Sequence, residues 1–246
     1  MSAPQKLSIL IPAYNEGQNI SQLLQRVVEV KLPYGIVKQM IVVDDGSNDD
    51  TYDKAVAFCE SFNKSREGES ADTIEVMRHT KNQGKGAAIR TALKNATDSD
   101  YIIIQDADLE LEPADIATLL QHLIDNNLKV VYGSRFLGAG NTHLYRRFYW
   151  GGRLVSMVAN ILYGQHITDE PTCYKLFRRE ILERIRLRCK GFEFCPEVTA
   201  KVAKQGIKIS EVPIHYTPRT LEEGKKLRWT DGLEAVLTLI KYRFVD

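Results

Sequence analysis

The chain has 246 residues, 43% of them hydrophobic and 26% charged, with 33 Lys and Arg against 32 Asp and Glu. That length fits one large domain or two small ones, and the apolar content excludes bulk disorder because burial can offset the ordering entropy. A formal net charge of +1 supplies no overall counterion-release drive, so a general nucleic-acid binder is excluded as a class.

Short β-branched runs alternate with longer amphipathic segments, which predicts an α/β domain on a largely parallel sheet. A strand is expected over residues 7–11, a helix over 18–30, a strand over 40–43 and a helix over 51–62. The polar stretch 63–72 reads as a solvated loop, followed by a strand at 73–77 and a helix at 86–96. A strand at 101–104 leads to a helix at 113–126, whose first turn carries Pro113 where the missing N–H costs nothing. A strand at 129–132 closes this run. The second half is less regular, with helices at 149–162 and 196–205, a strand at 208–214 and a last helix at 231–244. That helix sets Leu233, Val236, Leu237, Ile240 and Phe244 at helical spacing. No composition break separates the halves, so a single domain over 1–246 is expected.

In an open parallel sheet, ligands bind beyond the carboxyl ends of the strands, and three polar motifs fall at such ends. They are Pro12-Ala13-Tyr14-Asn15-Glu16, Asp44-Asp45-Gly46-Ser47-Asn48-Asp49-Asp50-Thr51 and Gln105-Asp106-Ala107-Asp108-Leu109-Glu110. One acidic loop alone reads as turn and capping chemistry; three on one sheet edge point to a ligand site. Asp106 and Asp108, two residues apart beyond a buried strand, suit a hard divalent ion such as Mg²⁺, which keeps one or two carboxylates and takes its other ligands from phosphate and water. Residues 98–115 hold seven acids and no Lys or Arg, a cluster that repels itself without a cation. Asn82-Gln83-Gly84-Lys85-Gly86 lacks the spacing of a P-loop. Its glycines at a helix start admit either an anion or close packing. No GxGxxG follows a strand, which disfavours a dinucleotide-dependent oxidoreductase.

Taken together, PAYNE, DDGSNDDT, NQGKGAA and DADLE, in this order, resemble glycosyltransferase family 2 with the GT-A fold. The likeness continues through Gly133-Ser134-Arg135, Thr168-Asp169 with Thr172-Cys173-Tyr174-Lys175, Phe192-Glu193-Phe194 with Pro196-Glu197, and Val212-Pro213-Ile214 with Pro218-Arg219. These are similar to the polyprenyl-phosphate hexosyltransferase branch, which includes dolichyl-phosphate mannose and glucose synthases. The resemblance implies a Rossmann-like, mostly parallel sheet flanked by helices. It also implies a nucleotide-sugar half over 1–133, an acceptor half over 134–220 and a C-terminal amphipathic segment over 221–246.

The resemblance further implies that Pro12, Tyr14, Glu16, Asp44, Asp45, Lys85, Asp106 and Ala107 line the nucleotide-sugar site. Asp108, with Asp106 and Glu110, would hold Mg²⁺ or Mn²⁺ at the donor diphosphate. Glu110 stands where relatives often have Gln. Arg219 and Lys225 match positions that contact phosphates, and Asp169 matches an acid near the reaction centre. Asp169, Asp108 and Arg219 are accordingly the expected catalytic set. Arg135, Arg147, Arg153 and Ser156 fall where the family binds an acceptor phosphate, with Arg146 an alternative to its two neighbours. Residues 141–190 carry ten Lys and Arg against four Asp and Glu, which suits an anionic acceptor.

The expected reaction is inverting transfer of a hexose from a GDP- or UDP-sugar to a polyprenyl phosphate. A family 2 enzyme acting on a saccharide or protein hydroxyl is the alternative. The N-terminal apolar run is too short for a signal-peptide core, and no stretch approaches the roughly 20 apolar residues of a membrane span. Four cysteines without CxxC spacing fit a reducing compartment. The expectation is therefore a cytoplasmic protein, peripheral at the cytosolic membrane face directly or through a membrane-anchored partner subunit. The C-terminal helix either packs its apolar face on the core or lies in the interface.

Overall fold

A computed structural model describes residues 4–65, 72–142, 144–220 and 229–245. Seven strands form one sheet: β1 (Lys6–Ala13), β2 (Val37–Asp44), β3 (Thr73–Arg78), β4 (Tyr101–Ile104), β5 (Val130–Ser134), β6 (Lys175–Arg178) and β7 (Ser210–Pro213). Their order is β3-β2-β1-β4-β6-β5-β7, and only β6 runs antiparallel to its neighbours. The helices are α1 (Ile20–Glu29), α2 (Thr51–Ser65), α3 (Lys85–Asn95), α4 (Asp115–Asp125), α5 (Arg146–Tyr163), α6 (Arg179–Glu183), α7 (Phe194–Lys204) and α8 (Trp229–Phe244).

The central strands are buried along nearly their whole length, which is why they read as continuous apolar runs and not as alternating ones. In α1, Ile20, Leu23, Leu24 and Val27 are the buried residues, a single stripe facing the sheet. In α4 the same stripe is Ile116, Leu119, Leu120 and Leu123. α3 buries Gly86, Ala87, Ala88 and Ala92, so small side chains let that helix approach closely.

Every strand and helix expected from the sequence is present, with shifted ends, and among the described residues three short elements were not foreseen: β6, α6 and a 3₁₀ turn over Pro33–Gly35. β6 is four residues long and carries Lys175 at its start. This lysine is fully buried, its Nζ 2.6 Å from Glu170 O and 3.7 Å from the centre of the Tyr132 ring. A buried lysine in a four-residue run leaves no apolar period to detect. Because β6 is antiparallel, its N-terminal end lies at the carboxyl ends of β4 and β5. The segment 168–174 is thereby delivered to the edge where the motif loops emerge.

The C-terminal helix α8 has two apolar faces. Ala235, Leu239 and Tyr242 are buried, while Leu233, Leu237, Ile240 and Phe244 are exposed. Four of the five residues placed on one stripe in the sequence thus lie on the outer face, with Val236 half-buried between. Tyr163 at the end of α5 donates its hydroxyl to Leu239 O at 2.6 Å, fixing α8 against α5.

Candidate active site

The site lies where the strand order reverses between β1 and β4, the position at which open α/β sheets bind ligands. Parallel register aligns Ala13 of β1 with Asp44 of β2, and Leu10 with Ile104 of β4. The three motif loops therefore leave one edge side by side. The first two are tied together by hydrogen bonds: Asn15 N–H donates to Ser47 Oγ at 2.9 Å and Glu16 N–H to Thr51 Oγ1 at 2.8 Å. Pro12 and Tyr14 are half-buried there, and Ala107 is buried.

Asp44 and Asp45 divide the labour of the second loop. Asp45 braces the next loop, accepting from the N–H groups of Gln83 and Gly84 at 3.0 and 2.7 Å, with His79 Nδ1 at 2.6 Å. Asp44 is fully buried and faces Arg78 Nε at 3.2 Å. Its Oδ1 is enclosed and has no hydrogen-bond partner among the described residues. Gly84, at φ +97°, would set a Cβ 2.4 Å from Lys190 O, and one on Gly86 would meet Cys189 O at 2.8 Å. Ala87 N–H donates to Gly84 O and Lys190 O. The glycines of NQGKG thus serve close packing, and the alternative of an anion at this helix start is set aside.

Lys85, first residue of α3, reaches Asp106 with Nζ 2.6 Å from Oδ1. Burial opposes the charge of Asp106, but the Lys85 ammonium outweighs it and holds the carboxyl below the usual range. Asp108 goes the other way. Burial, then the neighbouring charges of Asp106 and Glu110, push its carboxyl up to about 6 against the partial counter-effect of Arg219. Leu109 turns through φ +60°, which lets Glu110 N–H donate to Asp108 Oδ1 at 3.1 Å.

Arg219 closes this side from 203 residues beyond Glu16. Its Nη1 and Nη2 donate to the two Glu16 carboxylate oxygens at 3.0 and 2.9 Å, and Nη2 lies 3.5 Å from Asp108 Oδ2. The Arg219 N–H donates to Glu110 Oε1 at 2.9 Å, and a bridge between Leu111 and Tyr216 holds the two segments together. Glu110 is therefore a clamp on the Arg219 backbone as well as an acid beside Asp108. Lys225 lies outside the described residues.

The fit to a divalent cation can be judged from the donors. Asp106, Asp108 and Glu110 supply hard oxygens in a locally overcharged loop, and Asp108 is a quarter exposed on the ligand side. Among the described residues no three His, Cys, Asp or Glu side chains form a ready-made metal cage. Asp108 is the carboxylate best placed to share a cation with a diphosphate and water, the mode Mg²⁺ favours.

Just beyond β5, Arg135 and Asp169 form a bidentate pair, Nε–Oδ2 and Nη2–Oδ1 both 2.7 Å, and the Arg135 N–H donates to Oδ2 at 2.9 Å. Asp169 is fully buried, and its charge raises Arg135 further above the ordinary guanidinium value although burial works against this. Arg147 and Arg153 are exposed, over the Phe148 and Phe136 rings at 5.0 and 5.4 Å. Arg153 Nη1 also donates to Thr168 O at 3.3 Å, and Arg146, next to Arg147, is exposed as well. Ser156 is buried. Its hydroxyl donates to Gly152 O and accepts from Glu170 N–H, both at 2.8 Å, so it anchors the segment after Asp169.

Sequence reasoning passed over Glu211 of β7. Its carboxylate accepts Thr168 N–H at 2.6 Å, Thr168 Oγ–H at 2.9 Å and Asp169 N–H at 3.0 Å. The available signal was an acid next to the Val212-Pro213-Ile214 motif, in a strand whose partner β5 leads straight into Arg135.

A family profile described as glycosyl transferase family 2 matches residues 8–186. Among curated relatives, a dolichol-phosphate mannosyltransferase of Pyrococcus furiosus is 30% identical over 89% of this chain, which spans 59% of the relative's length. A polyprenol monophosphomannose synthase of Mycolicibacterium smegmatis is 30% identical over 90% of this chain and 81% of its own. An N-acetylglucosaminyltransferase of Methanococcus voltae, named for UDP-N-acetylglucosamine and dolichyl phosphate, is 29% identical over 90% of both. In fold, the chain matches glucosyl-3-phosphoglycerate synthase from Mycobacterium tuberculosis, solved with Mn²⁺, UDP-glucose and phosphoglyceric acid. The TM-score is 0.65 at 17% identity, covering 98% of this chain and 81% of the other. The mostly parallel sheet with flanking helices is the GT-A arrangement expected from the motifs.

Proposed function

The chain belongs to glycosyl transferase family 2, and on that premise we propose that it transfers a hexose from a GDP- or UDP-sugar to a polyprenyl phosphate with inversion at the anomeric carbon. The carrying observation is the pairing of two opposite charge environments on one sheet edge. An overcharged acid loop around Asp108 faces Arg219 on one side, and the Arg135–Asp169 pair with Arg147 and Arg153 stands on the other.

In this reading Asp44, at the end of β2, lies near the ribose and base of the donor. Pro12, Tyr14, Asp45 and Ala107 line the nucleotide, and Arg219 faces its phosphates. Glu16 orients Arg219 toward the donor diphosphate, and Lys85 keeps Asp106 ionised. Asp108, with Asp106 and Glu110 contributing charge, would hold Mg²⁺ or Mn²⁺, which would supply charge neutralisation for the departing diphosphate. An acceptor phosphate oxygen attacks the anomeric carbon as the bond to the nucleoside diphosphate breaks, and the electron pair leaves with that diphosphate. The phosphate is already ionised near neutral pH, so positioning dominates over general-base help. Asp169 orients Arg135 and needs no proton of its own to move.

Peripheral membrane contact is part of the same proposal. Trp150, Leu154, Met157 and Ile161 of α5 are exposed at i, i+4, i+7 and i+11, the spacing shared by Leu233, Leu237, Ile240 and Phe244 of α8. The two helices pack together, and exposed Arg146, Arg147, Arg153, Lys241 and Arg243 stand on them. Apolar stripes with basic flanks suit an anionic lipid surface. Among the described residues no helix is long and apolar enough to cross a membrane.

The test is acceptor discrimination. A polyprenyl phosphate and the polyprenol of the same length are offered with an α-linked nucleotide-sugar, and product is resolved by anomeric configuration. A β-linked glycosyl phosphate from the first acceptor alone is expected. Transfer to the alcohol, or an α-linked product, would overturn the reading.

A further inference from the structure

We infer that Glu211 is a positioning residue for the acceptor side, setting the place of the Arg135–Asp169 pair through a directed hydrogen-bond chain. The inference rests on the proposed acceptor reading for its kinetic consequence, not for its geometry. Glu211 lies on β7, beside β5, and its two carboxylate oxygens are spent in different directions. Oε2 takes both the N–H and the hydroxyl of Thr168, and Oε1 takes the N–H of Asp169.

An ionised carboxylate only accepts, so Thr168 Oγ–H must point at Glu211. Thr168 Oγ1 is then left to accept from Ser134 Oγ–H across 2.6 Å. Ser134 Oγ in turn accepts Phe136 N–H at 3.2 Å. Every proton in the chain from Phe136 to Glu211 is thereby oriented toward one carboxylate. The chain runs along both flanks of Arg135: Ser134 and Phe136 bracket it in sequence, and Asp169, next to Thr168, hydrogen-bonds it directly. Asp169 is wholly buried and engages Arg135 through three hydrogen bonds. Rotating the backbone at 168–169 therefore moves the guanidinium as well.

Glu211→Gln keeps the shape and breaks the logic. An amide has one accepting oxygen and one donating nitrogen, so either the Thr168 pair or the Asp169 N–H must face a donor. Two readouts follow. Amide exchange is expected to rise at least about tenfold in E211Q at Thr168 or Asp169, whichever faces the amide nitrogen, with Ile167, whose N–H is held by Asn160, unchanged. In transfer assays, kcat/KM for the polyprenyl phosphate is expected to fall about 10- to 100-fold while the KM for donor stays within about twofold. Thr168→Val, which removes only the hydroxyl arm, should show the same pattern at smaller size, and Glu211→Asp should recover part of the loss. Unchanged exchange at 168–169 in E211Q, or an equal loss in donor and acceptor parameters, would overturn the inference. If wild-type protein used no polyprenyl phosphate, the functional reading would fail while the exchange measurement still decided the role of Glu211.

Discussion

Asp108 carries a charge that its own surroundings oppose. Burial and the acids on either side raise its carboxyl to about 6, so the protein folds with strain that a bound cation and diphosphate can relieve. Asp108→Asn should therefore lower kcat by about 100-fold or more, yet unfold in metal-free buffer at a temperature no lower than the wild type. Glu197 is the opposite case. Burial works against its charge, but Lys201 and the N–H groups of Cys189 and Arg188 outweigh that and hold the carboxyl below its ordinary 4.5. A depressed carboxyl contributes stability above its unfolded value, lost as pH falls through the folded value. Glu197→Gln should cost about 1.5–3 kcal/mol at pH 7, and the gap to wild type should close in denaturation curves taken below pH 4.5.

At the scale of elements, the loops after β1, β2 and β4 were legible because each couples a buried apolar run to an abrupt polar motif. The Arg135–Asp169 pair was not legible from spacing. It depends on β6 reversing direction, and Lys175 hides that strand inside a charged tetrapeptide. The link from Glu16 to Arg219 spans nearly the whole chain, and only the sheet order brings its ends together. The glycines before α3 were ambiguous for another reason: the same residue type admits an anion or a neighbouring backbone, and the segment at 189–191 that decides the matter is remote in sequence. Gly84→Ala should accordingly destabilise by at least about 2 kcal/mol, read as a drop of about 4–8 °C in Tm. On the outer faces of α5 and α8, Ile161→Asp with Leu237→Asp should abolish flotation with anionic liposomes at low salt while leaving Tm nearly unchanged, since both residues are more than half exposed.

For the whole molecule, the near-equality of 33 bases and 32 acids conceals two local fields. The acids around Asp108 lie on the loop after β4 and the bases Arg146, Arg147 and Arg153 on α5, and the protein is near-neutral only in sum. A nucleotide-sugar handled at the first and an anionic acceptor at the second would meet with like charges already screened. The most direct measurement of that claim is a transfer assay with GDP-mannose, UDP-glucose and UDP-N-acetylglucosamine, each with Mg²⁺ and a short polyprenyl phosphate, and each repeated without the lipid phosphate or with chelator. Labelled glycolipid from one donor, lost when either the lipid phosphate or the metal is withheld, is the predicted result. Sugar transfer that proceeds equally without the lipid phosphate, or undiminished in chelator, would contradict it.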